Sequence, residues 1–158
     1  MSKILEIVTN PNPLLRKKSV KIRGSEIDSN ACRELYRQMS RTMIARDGVG
    51  LAAPQIGKNI RLITINTKNG VLCMINPEII KKSWKKCWDE EGCISVPNTY
   101  GQVRRHYKVS CIYLNKNSQK QKIEAEGLLA RIIQHEIDHL DGILFIDKAK
   151  DIKKITKM

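Results

Sequence analysis

His135 and His139 stand four residues apart in the run His135-Glu136-Ile137-Asp138-His139. On a helix this spacing stacks two imidazoles one turn apart on one face, where both reach one ion. Glu136 lies about 100° round the helix, close enough to touch a water beside the ion without ligating it. The chemistry such a trio supports is metal-assisted hydrolysis. The same spacing also occurs on ordinary exposed helix faces. Here, however, Leu128, Leu129, Ile132, Ile133, Ile137 and Leu140 make the helix largely apolar. Polar groups inside it need a reason to be buried.

A catalytic ion needs a third protein ligand and an open position. After His139 the chain has no further His or Glu. Asp141, Asp147 and Asp151 remain, without the spacing of zincin-type hydrolases, and His106 falls in an expected strand. Upstream, Cys93 sits in Glu91-Gly92-Cys93-Ile94-Ser95, where the glycine allows close approach. A thiolate is a fitting ligand for a first-row transition metal. Cys87 competes with it but lies among lysines, while Cys32, Cys73 and Cys111 read as small buried hydrophobes.

Three segments together resemble the signature motifs of the peptide deformylases. Gly48-Val49-Gly50-Leu51-Ala52-Ala53-Pro54-Gln55 is similar to GxGLAAxQ, residues 91–95 to EGCLS, and residues 134–142 to QHExDHLxG. With NPNPLLR near the start and GILFIDK after the third motif, the resemblance covers about residues 4–148. It implies that Cys93, His135 and His139 hold one divalent metal ion, Fe2+ in the family, with Zn2+, Ni2+ or Co2+ tolerated. It implies removal of the N-formyl group from formyl-methionyl nascent peptides, with release of formate. Glu136 would be the acid–base residue. Gln55 and the backbone N–H of Ile94 would stabilise the oxyanion, each such donor contributing about 2.7–4 kcal/mol. Gly50 would let substrate backbone lie against its loop, and Glu91, Gln134 and Asp138 would position the ligands. Val49, Leu128 and Ile132 are the candidate lining of a methionine pocket; plain core packing explains the latter two equally well. Arg105 is expected to pair with Asp138, since a buried helix acid needs a cation. Two residues depart from the family pattern: Ile94 replaces a leucine, and Arg131 stands where an apolar residue is common, so a place at the pocket rim or a reach to solvent is expected for it.

The elements that must position these groups follow from patterning. Cys32, Leu35, Tyr36, Met39, Met43 and Ile44 recur at helical spacing between Asp28 and Ala45, with Asp28 or Ser29 as cap and Gly48 beyond the end. Residues 48–57 combine glycine with apolar residues, as in a buried loop that other groups approach closely. Arg61–Asn66 and Val71–Asn76 read as strands, 78–88 as a third extended stretch, and 89–101 as loop because of Gly92, Pro97 and Gly101. Strand patterning resumes over 103–114, with a short strand near Ile123. The second helix spans about Gly127 to Asp141, followed by a short strand at 143–146 and a basic tail with helical character. Strands outnumber helices and turns join them, which predicts an α+β fold: antiparallel sheets around the HExxH helix, one N-terminal helix and a short basic C-terminal tail. Residues 1–147 are expected as one catalytic domain and 148–158 as the tail.

The 158 residues fit one domain, and 41% hydrophobic content predicts a globular fold. Aromatics make up only 4%, which argues against a base-stacking surface. Five cysteines with no CxxC pair argue against a disulfide framework. The start of the chain lacks the apolar run of a signal peptide and no stretch approaches a membrane span, so a cytoplasmic monomer is expected, with no membrane partner. The net charge of +13 attracts polyanions, which raises contact with a ribosome or rRNA surface; a soluble lysine-rich surface explains it equally well. Two other functions stay open: a zincin-type peptidase, which needs a downstream ligand, and a non-catalytic RNA binder.

Overall fold

A computed structural model describes residues 3–156. Eight strands are present among them: β1 (Gly50–Ala52), β2 (Leu62–Thr67), β3 (Gly70–Lys82), β4 (Lys86–Cys93), β5 (Val96–His106), β6 (Lys108–Leu114), β7 (Lys120–Glu126) and β8 (Lys150–Lys154). Helices α1 (Gly24–Ile27) and α2 (Asn30–Ala45) precede them, and α3 (Leu128–Leu140) lies between β7 and β8. The strands form two antiparallel sheets, in the orders β1-β2-β3-β6-β7 and β4-β5-β8.

Alternation along β2 explains the layering. Ile63 and Ile65 face Ala130, Ile133 and Ile137 of α3, in a core completed by Met74, Val109 and Cys111. Leu62 faces the other way, towards Met39 and Met43 of α2, where Thr64 also reaches Met43. Successive side chains of a strand point to opposite faces, so a strand buried on both reads as a continuous apolar run. A third core of Leu15, Val96, Val103, Leu144 and Phe145 joins the smaller sheet to the segment after α3.

Both long helices have chemical reasons for their ends. Ser29 caps α2, its Oγ accepting from the Cys32 N–H at 3.1 Å. Past α3, Gly142 adopts φ +75°, and a Cβ there would sit 2.5 Å from the Arg16 carbonyl oxygen. Only glycine satisfies both demands.

Several expectations are corrected. Residues 89–101 are strand on either side of a turn at 94–95, not loop throughout: β4 and β5 form a hairpin. Its glycines serve close approach, since a Cβ on Gly92 would lie 2.7 Å from the Tyr100 ring and one on Gly101 2.8 Å from Ala149. The extended stretch at 78–88 is broken at 83–85, where β3 ends and β4 begins. The stretch at 143–146 forms no strand but leads into a 3-10 turn, Phe145–Asp147. The basic tail is strand β8, paired with β5; unsatisfied backbone on the edge of β5 decides this, not local propensity. Residues 157–158 of the tail lie outside the described residues.

Candidate active site

The end of β4 carries Cys93 to the face of α3 that bears His135 and His139. One donor atom from each of the three residues lies within 4.8 Å of the others, and Cys93 Sγ is 3.4 Å from His139 Nε2. Cys87 and His106, the other candidates, are not in the cluster: the Cys87 carbonyl accepts from Arg131, and His106 Nδ1 meets the Ser83 carbonyl at 2.8 Å.

Glu91 organises the cluster. Its carboxylate accepts from His135 Nδ1 at 2.8 Å, from Arg105 twice at 2.9 Å and from Arg131 at 2.6 Å. Burial opposes its ionisation, but the hydrogen bonds from His135 and Arg105 outweigh burial and hold it well below the usual carboxylate range. Burial likewise lowers the His135 value, yet Cys93, Glu91 and Glu136 more than offset that and hold it above an ordinary imidazole. With Nδ1 given to Glu91, the nitrogen left to face the cluster is Nε2. His139 is driven well below its ordinary value, first by burial and then by the charges of His135 and Arg105. A thiol, two oriented imidazoles and an inward spacing of this size fit a single divalent transition-metal ion.

Glu136 is buried at 3% exposure. Its Oε2 has no hydrogen-bond partner among the described residues, and burial pushes its pKa up to about 7. Gly50 makes room for it: a Cβ there would lie 2.9 Å from Glu136 Cγ and 3.1 Å from Ile132 Cγ2. Gln55, in the 3-10 turn Ala53–Ile56, is oriented by its Oε1 accepting from the Ala52 N–H at 2.9 Å. Its Nε2 donates to Ser95 Oγ at 3.1 Å and lies 3.4 Å from Cys93 Sγ.

These groups open on a cavity of about 760 Å³ whose lining includes Val49, Gly50, Gln55, Glu91, Cys93, Ile94, Leu128, Ile132, His135 and Glu136. The expected site residues line this cavity, except the buried His139 and the positioning residues Gln134 and Asp138. Arg105 does pair with Asp138, at 2.5 Å. Gln134 ties α3 to β5 through the His106 backbone, at 3.1 and 2.8 Å.

Arg131 is a correction in part. It lines the cavity, as one of its two expected places had it, but it does not reach solvent: it is 8% exposed and its guanidinium meets Glu91 together with the Val103 and Cys87 carbonyls at 2.9 and 2.8 Å. Three acceptors facing a planar fork make its burial tolerable. Ser95 was missed as well, although it stands inside the second motif; an unassigned hydroxyl two residues from the cysteine was the available signal.

A buried metal-type hydrolytic centre on an α+β scaffold defines the class, and the comparisons specify it. The sequence matches the polypeptide deformylase family across residues 4–155. A peptide deformylase of Desulfitobacterium hafniense is 47% identical over 93% of this chain and 95% of its own length. One of Symbiobacterium thermophilum is 45% identical over 98% of this chain and 70% of its own. Among solved structures, a class I type b peptide deformylase of Acinetobacter baumannii superposes with a TM-score of 0.90 at 37% identity, covering 92% of this chain and 99% of that one. The chain belongs to the polypeptide deformylase family, hydrolases that remove the formyl group from the N-terminal methionine of new polypeptides.

Proposed function

We propose that Cys93, His135 and His139 hold one divalent metal ion, Fe2+ by preference over Zn2+, Ni2+ or Co2+, and that this site hydrolyses the N-formyl group of formyl-methionyl nascent peptides to formate. The observation that carries the assignment is the convergence of these three donors with Gln55 Nε2 and the unpartnered Glu136 oxygen beside them. The ion, when bound, supplies Lewis acidity that makes a water nucleophilic near neutral pH.

The chain's own residues do the rest. Val49, Leu128 and the buried Ile132 line the apolar part of the cavity and take the methionine side chain. Gly50 on β1 leaves the substrate backbone room to lie against the strand. Glu136 takes a proton from the attacking water and returns it to the leaving amine, a task suited to a group poised near pH 7. Gln55 Nε2 and the Ile94 backbone N–H donate to the oxyanion as the formyl carbon becomes tetrahedral. Glu91, whose carboxylate is taken up by His135, Arg105 and Arg131, serves the substrate through the placement of His135.

We assign residues 1–147 as the catalytic domain, with 148–158 as the basic tail, and a monomer working in the cytoplasm and docking against rRNA. Among the described residues no helix is long and apolar enough to cross a membrane, and the charge of +13 supports a polyanionic docking partner. Cys93→Ala should lose both metal and formate release. A Cys93→Ala protein that keeps them would favour a zincin-type peptidase and remove the deformylase assignment.

A further inference from the structure

Trp84 is fully exposed, at 101%, at the tip between β3 and β4. It is flanked by Lys81, Lys82, Lys85 and Lys86, all exposed, and residues 79–88 hold no acid. Among the described residues none of these four lysines forms an ion pair.

The turn that presents Trp84 is fixed. Ser83 N–H donates to the Lys108 carbonyl at 2.9 Å, and Ser83 Oγ donates to the Lys85 carbonyl at 2.8 Å while accepting from the Lys108 N–H at 3.0 Å. Tyr107 N–H donates to the Lys85 carbonyl at 2.9 Å, and His106 Nδ1 meets the Ser83 carbonyl at 2.8 Å. The indole is thus held out on an ordered support rather than left on a slack loop.

On the adjoining sheet the second tryptophan also stands among cations, with the exposed Glu90 further along the same face. Lys86 and Trp88 are two residues apart on β4 and so share a face, and Arg104 stands opposite Trp88 in register. Lys150 of β8 places its Nζ 4.9 Å from the Trp88 ring centre. All four side chains are exposed.

Protection of an edge strand accounts for lysines on β4 but not for bare indoles among them. Both tryptophans of the chain stand outside its core, beside cations. Flat aromatic faces spaced among cations, on a sheet and its rim, match the chemistry of single-stranded nucleic acid: bases stack and phosphates meet lysine and arginine. An interface-seeking membrane loop would present contiguous apolar residues, whereas the neighbours of Trp84 in sequence are serine and lysine.

We propose that the 81–88 hairpin tip and the outer face of the β4-β5-β8 sheet bind single-stranded RNA, with Trp84 and Trp88 as stacking platforms. The test is fluorescence anisotropy of a labelled oligouridine of about twelve nucleotides with the full-length metal-loaded protein, against heparin and phosphatidylserine vesicles. Trp84→Ala should weaken oligouridine binding about five- to hundredfold, and Trp84→Phe should recover most of it. Formate release from a short formyl-methionyl peptide should not change. Affinity should fall with salt at a log–log slope of about −3 for four phosphate contacts, and replacing Lys81, Lys82, Lys85 and Lys86 with Gln should flatten it. Oligouridine affinity within about twofold of wild type in both Trp84→Ala and Trp88→Ala would overturn the proposal. So would equal, tryptophan-independent binding of heparin, or vesicle binding without RNA binding.

Discussion

Single residues decide the quality of the metal site, and Arg131 is the clearest case. It clamps one Glu91 oxygen at 2.6 Å while the other accepts from His135 at 2.8 Å. Arg131→Met should therefore lower metal affinity about 10–100-fold, measured by chelator competition. It should also reduce stability by about 3 kcal/mol, the lower end for a broken buried pair, because Arg105 still holds Glu91. Arg131→Lys should not restore either quantity, since one ammonium cannot serve the three acceptors around the guanidinium. Gly50 controls the space over Glu136. Gly50→Ala places a Cβ 2.9 Å from Glu136 Cγ and should cost about 1–3 kcal/mol of stability and up to about a hundredfold in turnover, read from thermal unfolding and formate release. At this scale the sequence was most legible: helical spacing announces His135, Glu136 and His139. The burial of Arg131 against Glu91 was not legible, because a single residue name carries no record of the carboxylate waiting across the core.

Elements were legible wherever one face was buried and the other not. The apolar periodicity of α2 and α3 located both helices. The β4–β5 hairpin escaped because Gly92 and Gly101 look like turn residues, while in the fold they admit the Tyr100 ring and Ala149. β8 escaped because its partner, the edge of β5, exists only in the folded chain. The segment after α3 is fastened to the 3-10 turn Pro13–Arg16 by Arg16 and Asp147, at 2.5 Å. The Arg16 hydrogen bond is the main reason the Asp147 carboxyl lies below its ordinary value. A carboxyl depressed in the folded state contributes stability that is fully present above its unfolded pKa and is lost as pH falls through the folded value. Thermal melts taken from pH 6 down to pH 2 (about the carboxylate range) should therefore show a smaller acid-induced loss in Asp147→Asn than in the wild-type chain. Equal losses would show that this pair does not fasten the two turns.

Across the whole molecule, the site is assembled from groups far apart in sequence: Gln55 from a turn after β1, Cys93 from the end of β4, and the two histidines from α3. Charge was legible as a total, +13, but not as a distribution. The scarcity of aromatics argued against a stacking surface, yet Trp84 is fully exposed and Trp88 46% exposed beside lysines. Composition cannot tell a buried indole from a presented one. The central claim is that Glu136 moves the proton for an ion it does not ligate. The most direct measurement is formate release by Glu136→Gln, with metal content determined on the same sample. Retention of one ion per chain with turnover reduced about 10²–10⁴-fold is the predicted result. A fully active Glu136→Gln protein, or one that is inactive because it has lost its metal, would contradict the account.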